Sequence, residues 1–333
     1  MKTGQGLIPA ALTAMLFLLI AGCGQKAPQQ PEKIVLGTQM IANVAPVWIA
    51  EKKGYFYEEG LQVEIREFAS GQAALQAMLN VKDIDLATAA QTPVIFNSFH
   101  RDDYAIISGM VYSDKDIKIL ARQDRGIKAP ENLKGKILGI TTGTSSHFFL
   151  DLFLAYHRMK MSDVKIIDME PTRLSKALIE GQVDAIATWE PHVYQTIKVL
   201  GDRAFLLTSQ EFSREDFYFI ARKDYLRDHS DALKRFLRAI EKAEGFIAKN
   251  RNEAVEIVRK RLKIDSAVVK ANWDDFHFKL FLDQPILTSL EDKARWAIKN
   301  KLKDTDTMPN YLDFIYVDAL KAVKPEGVSI VGR

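Results

Sequence analysis

Cysteine is almost missing. The 333 residues contain one, Cys23, near the N-terminus. The folded body can therefore hold no disulfide, no cysteine zinc site and no cysteine nucleophile. An excess of one charge is also missing: 46 Lys and Arg against 43 Asp and Glu leave a net charge of +3. Nucleic-acid binding ordinarily leaves a stronger basic bias, so no nucleic acid is expected as a partner. The apolar run at residues 7–20 spans 14 residues, short of the roughly 20 that a membrane-spanning helix needs. Neither Gly-x-Gly-x-x-Gly nor a phosphate-loop Lys motif is present. Residues 139–143 imitate a nucleophile elbow with Thr141 in place of Ser, but no acid and His follow in the required order. Ser162 and Lys165 fit S-x-x-K by chance, without its companion motifs. Among the six His, no pair has metal-ligand spacing with a supporting carboxylate, although His147 and Asp151 lie one helical turn apart. No metal and no cofactor are expected.

What is present describes an ordinary folded chain. Hydrophobic residues make up 47% and charged residues 27%, as in soluble globular proteins, and roughly 150 residues per domain suggests two domains. Lys2, the short apolar run and Ala21-Gly22 before Cys23 read as a secretory signal over residues 1–22. Leu19 to Cys23 resembles the bacterial lipobox, in which the Cys thiol is lipidated and the chain is cut before it. That resemblance implies an anchor with more than one acyl chain, so attachment is stable. Residues 23–32, polar and Pro-rich, read as a tether.

From Lys33 onward apolar runs alternate with helical stretches. Strands are expected at 34–36, 63–68, 86–88 and 106–107, with helices at 46–53, 71–81 and 93–99 between them. The order repeats, with strands at 136–140, 165–167 and 185–187 and helices at 145–159 and 174–180. Such alternation marks an α/β fold with parallel sheets. Residues 217–220 read as the last strand, and helices at 232–248 and 252–262 follow. A weak internal repeat pairs Ala77, Met78, Ile84, Asp85, Thr88 and Pro93 with Ala177, Leu178, Val183, Asp184, Thr188 and Pro191, which suggests two related lobes.

Three constellations could bind a ligand. Gly143-Thr144-Ser145-Ser146 follows a strand and opens a helix, and Ser70-Gly71-Gln72 holds the matching place in the first half. The first N–H groups of a helix are unpaired and carry the positive end of its dipole, which suits a sulfonate, phosphate or carboxylate. Each hydroxyl could equally cap only its own helix. Trp189-Glu190-Pro191 lies in a post-strand loop, where parallel sheets contact ligands. Trp189 could stack on a ligand or pack in the core, and Glu190 could accept a hydrogen bond or lie over the next helix start.

Taken in order, Pro46 to Phe56, Glu59 to Glu64, Ser70-Gly71, Ile84-Asp85, Leu133 to Lys136, Gly143 to Ser145, Gly181 to Ala185 and Trp189-Glu190-Pro191 carry a resemblance. From about Lys33 to about Lys263 the chain resembles the substrate-binding lipoproteins of ABC importers, in the sulfonate/nitrate/taurine-binding group related to thiamine-pyrimidine-synthesis proteins. The resemblance implies a two-lobed periplasmic binding protein fold of type II, with two crossover strands and a ligand cleft between the lobes. The crossings are expected near 119–121 and 217–219, which gives one lobe of residues 33–121 and 217–333 and another of residues 122–216. Carried over residue by residue, the cleft positions are Gln39, Met40, Ser70, Gly71, Gln91, Thr92, Thr144, Ser145, Trp189 and Glu190, with Phe217 or Tyr218 at the crossing. Ala89-Ala90-Gln91-Thr92-Pro93 departs from the family pattern, in which Gly with a small or acidic residue often precedes Pro. A Gln amide both donates and accepts, so the ligand need not be a sulfonate. The resemblance implies a monomeric receptor in the periplasm or on the outer face of the cell membrane. It would bind a small molecule and deliver it to an ABC permease driven by a cytoplasmic ATPase, without chemistry of its own. The alternatives are a pyrimidine-precursor-binding protein, a thiamine-pyrimidine-synthesis-like enzyme, and a sensor that delivers its ligand to a receptor.

Overall fold

The computed structural model describes Met1, residues 30–207 and residues 214–331; the expected signal peptide and the lipidated Cys23 lie outside the described residues. Every element below belongs to the compact unit that begins at Pro31. Its strands are β1 (Glu32–Gln39), β2 (Leu61–Phe68), β3 (Leu86–Ala90), β4 (Tyr104–Ser113), β5 (Lys118–Arg122), β6 (Ile137–Ile140), β7 (Lys165–Asp168), β8 (Ala185–Thr188), β9 (Ala204–Leu206), β10 (Glu215–Arg222) and β11 (His277–Phe281). Between the early strands run α1 (Ala45–Lys53), α2 (Tyr55–Glu58), α3 (Gly71–Asn80) and α4 (Gln91–Ser98). The middle of the chain adds α5 (Ser145–Tyr156), α6 (Pro171–Ile179) and α7 (His192–Leu200). After β10 come α8 (Lys223–Asp228), α9 (Ser230–Lys249), α10 (Arg251–Leu262), α11 (Ser266–Trp273), α12 (Gln284–Lys299) and α13 (Asp318–Val323).

Two mixed sheets carry the two lobes. One runs β11-β4-β10-β3-β1-β2, the other β7-β6-β8-β5-β9. In the first, β1 lies parallel to β2 and β3, and β10 returns antiparallel between β3 and β4. In the second, β6 lies parallel to β7 and β8, and β5 returns antiparallel between β8 and β9. The central strands β3 and β8 are almost wholly buried because helices cover both faces, as parallel strands require. Strand β2 is the edge of its sheet and stays half exposed.

Several boundaries differ from the sequence reading. Glu32 pairs with Leu61, so the first strand starts inside the expected tether. Residues 118–122, expected to close the first lobe, pair with β8 and β9; the chain therefore changes sheet between Ser113 and Lys118. Strand β9 ends at Leu206 in the smaller sheet, and β10, from Glu215 onward, belongs wholly to the larger sheet. Helix α5 ends at Tyr156, and His157 caps it before Arg158 turns to φ 58°. The chain after residue 225 is not helical throughout: β11 adds to the edge of β4.

Candidate binding site between the sheets

Local chemistry brings the loops after β1, β3, β6 and β8 to one cavity. After β1 a short turn at Ala42–Val44 is pinned by Trp48, whose indole Nε1 donates to the Ile41 carbonyl at 3.0 Å. Trp48 is fully buried, which contributes on the order of 2 kcal/mol and holds the turn to α1. Ser70 caps α3, its Oγ accepting from Ala73 N at 3.1 Å. Gly71 is required beside it: a Cβ there would lie 3.0 Å from Ala89 Cα and 3.2 Å from the Thr88 carbonyl. Gly143 turns at φ 74°, and a Cβ there would meet Gln72 Nε2 at 2.7 Å, so the starts of α3 and α5 approach closely.

The cavity encloses about 490 Å³ counting its open mouth. From the larger sheet and its loops come Gln39, Ile41, Asn43, Val44, Ser70, Gly71, Gln72, Met110 and Phe217; Thr144, Ser145 and Trp189 face them from the smaller one. Thr88 to Ala90 and Pro93 also line it, as do Asp116 and Ile117 in the segment joining β4 to β5. A second pocket of about 350 Å³ adjoins it, sharing Ile41, Asn43 and Asp116 and adding Glu190, Pro191 and Asn272.

Of the expected positions, the main cavity brings together Gln39, Ser70, Gly71, Thr144, Ser145, Trp189 and Phe217. Tyr218 faces away, as strand alternation demands once Phe217 faces in; it is fully buried and its hydroxyl donates to Asp216 Oδ2 at 3.2 Å. Gln91 is also fully buried and spends its amide inside the protein. Its Nε2 donates to Asp216 Oδ2 and Ser289 Oγ, each at 2.8 Å, and its Oε1 accepts from Lys293 Nζ. Thr92 is buried on α4 and Met40 packs against the core. Glu190 reaches the second pocket only: Oε2 accepts from Tyr194 N at 2.9 Å, and Lys118 Nζ stands 3.6 Å from Oε1.

The electrostatics were not legible in advance. Thr144 does not cap α5; its hydroxyl donates to the Thr141 carbonyl at 2.7 Å and pairs with Ser146 Oγ. Ser145 Oγ donates across to Glu215 Oε1 at 2.5 Å, and Lys293 holds Glu215 Oε2 at 2.8 Å. Burial pushes Asp216 up to about 6, although Arg214 pulls it down. Asp116, missed in the sequence, is pushed up to about 7 by burial and by Glu215. Asn43 Oδ1 and Trp189 Nε1 are buried without a hydrogen-bond partner. Among the described residues no group of three His, Cys, Asp or Glu could hold a metal, and no helix is long and apolar enough to cross a membrane.

The comparisons with known proteins agree with this geometry. A protein of Bacillus subtilis (strain 168), provisionally named an aliphatic sulfonates-binding protein, is 30% identical over 278 residues, 80% of this chain and 81% of that one. Among solved structures, the alkanesulfonate-binding protein SsuA from Xanthomonas axonopodis pv. citri, bound to MOPS, superposes with a TM-score of 0.71 at 22% identity, covering 85% of this chain and 96% of its own. The periplasmic aliphatic sulphonate binding protein SsuA from Escherichia coli gives 0.70 at 21% identity, over 86% and 97%. The chain thus has the fold of the periplasmic binding proteins. Since residues 41–254 match the family model described as NMT1/THI5 like, the chain belongs to that family.

Proposed function

We propose that the protein is the solute-binding component of an ABC importer. It holds a small organic molecule between its lobes and hands it unchanged to a membrane permease. The supporting observation is the cavity itself: Ser70 and Gly71 from one sheet, Thr144, Ser145 and Trp189 from the other, line one space. A ligand touching both sets of residues favours the closed arrangement of two hinged lobes, because only there are all contacts made. In this reading the lobes are built on β1–β4, β10 and β11 and on β5–β9, and residues 114–117, where the chain changes sheet, serve as a hinge. An acidic group of the ligand, a sulfonate among the candidates that the relatives' names suggest, meets the unpaired N–H groups where α5 begins. Trp189 offers a ring face and an unpartnered indole N–H. In this reading Cys23 carries the lipid anchor outside the cytoplasmic membrane, and the receptor acts as a monomer without cofactor or catalysis.

Native mass spectrometry of protein purified without unfolding tests the reading, and a bound organic molecule released intact is the expected result. A thermal-shift panel follows, since a ligand at about 100 times its Kd adds roughly 2.7 kcal/mol. Trp189→Phe keeps an aromatic face but removes the N–H donor, so affinity falls several-fold and by more than the loss of stability. A molecule chemically altered on incubation, or affinity that ignores Trp189, overturns the proposal.

A further inference from the structure

Among the described residues, Asp116 is the one charged residue in the lining of the main cavity. The basic side chains around it are already engaged. Lys118 donates to Asn272 Oδ1 at 2.5 Å and faces Glu190, Lys293 is held by Glu215 and Gln91, and Arg214 pairs with Asp216 and Asp283. The charged groups that act on Asp116 are Glu215, Glu190 and Asp275, which repel it, and Lys118, which attracts it. No hydrogen bond or ion pair to its carboxylate occurs among the described residues. A second acceptor, Asn43 Oδ1, lies buried and unpartnered in the lining of the same two pockets. An enclosed acceptor without a donor is costly, and beside Asn43 the half-buried Asp116 turns an unpartnered carboxylate to the cavity.

We propose that Asp116 is a specificity-determining residue that receives a protonated nitrogen of the ligand, so that the receptor selects organic molecules carrying a cationic amine. Asn43 accepts a second N–H from the same group. Met110, Ile117 and Phe217 give the carbon body an apolar bed. The inference rests on the receptor reading and deepens it: an acidic group at the start of α5 and a cationic nitrogen at Asp116 make the preferred ligand a zwitterion. Burial and the neighbouring Glu215 push the Asp116 carboxyl up to about 7 despite the attraction of Lys118, and an arriving ammonium favours its ionised form.

The test uses two probes of one shape, 4-(aminomethyl)benzenesulfonate and 4-(hydroxymethyl)benzenesulfonate, titrated calorimetrically into the folded body at pH 7.5. The wild type is expected to prefer the amine by roughly tenfold or more, as a charge-assisted hydrogen bond supplies. Asp116→Asn, nearly the same shape, should bring the two affinities within about twofold, with a melting temperature no lower than the wild type's to show that the fold is intact. Equal affinities in the wild type, a preference unchanged in Asp116→Asn, or no binding of the amine overturns the inference. The receptor reading is judged separately. If the hydroxymethyl probe binds as well as the amine and is lost in Phe217→Ala, the receptor stands and the role of Asp116 falls.

Discussion

In the larger sheet Asp85 Oδ2 accepts from Val35 N at 2.8 Å, and in the smaller sheet Asp184 Oδ2 accepts from Ile137 N at 2.9 Å. Arg222, at the end of β10, donates to the Met78 and Ile84 carbonyls and pairs with Asp224; Arg122, at the end of β5, donates to the Leu178 and Ile179 carbonyls and pairs with Asp124. The weak repeat in the sequence is thus a repeat of hydrogen bonds: each lobe ties its helix to its returning strand with the same Asp and Arg. The likeness ends at the cavity. In the larger lobe the residue two before the helical Pro93 is Gln91, locked into a buried network. In the smaller lobe the positions before Pro191 are Trp189, on the cavity, and Glu190, on the adjoining pocket. The far ends of the strands carry the shared stabilising bonds, while the ends facing the other lobe differ.

The difference can be broken hardest at Lys293. Its ammonium is buried between Gln91 and Glu215, and Glu215 also accepts from Ser145 of the smaller lobe. Lys293→Met leaves Glu215 enclosed without a counter-charge, which is expected to cost about 3–5 kcal/mol in urea unfolding. Adding Glu215→Gln should restore part of that loss. A single variant within about 1 kcal/mol of the wild type would show that the network is open to water, and the larger lobe would then be no more closed at its cleft than the smaller.

The next effect belongs to the joining segment. Burial pushes the Asp116 carboxyl from its ordinary value of 3.8 up to about 7 in the folded protein. A carboxyl with a raised folded pKa contributes stability that is fully present below the unfolded value and is lost as pH rises through the folded one. Lowering the pH from 8 to 5 should therefore stabilise the free protein, by roughly 2 kcal/mol from this group after allowance for the water that the cavity admits. Asp116→Asn removes that part of the slope and melts higher than the wild type at pH 8. Asp216, pushed up to about 6, keeps a slope of the same sign in the variant. Identical profiles for the two proteins would place the Asp116 carboxylate in bulk solvent, outside the cavity.

Much of the scaffold was readable because it rests on local pattern. Apolar runs at 34–36, 86–88 and 185–187 became buried strands, and Pro46 opened a helix in its first turn. Strand β11 was not read, because its place depends on contacts far away in sequence: it lies along β4, and Leu280 N donates to Glu244 Oε2. The site divided in the same way. Ser70, Thr144 and Trp189 follow strands and could be found from spacing. Gln91 offered an amide that sequence alone assigns to a ligand, yet its partners stand 125 to 202 residues further along the chain. Asp116 is not legible in the sequence because nothing local marks the change of sheet, which falls between Ser113 and Lys118 and not at 119–121.

The smallest effect separates the two helix starts that the sequence treats as equivalent. In α3 the start is closed by its own serine, whereas no side chain caps α5. Ser70→Ala should cost about 1 kcal/mol and speed hydrogen exchange at the Ala73 amide, which loses its acceptor. Thr144→Ala removes no cap, only contacts with Thr141 and Ser146. The first amides of α5 should then exchange as fast as in the wild type, and slow only when a ligand occupies the cavity. If Thr144→Ala accelerates them as Ser70→Ala accelerates Ala73, both starts serve only their own helices. The acidic group of the ligand would then need another donor, of which the unpartnered Trp189 Nε1 is the first to examine.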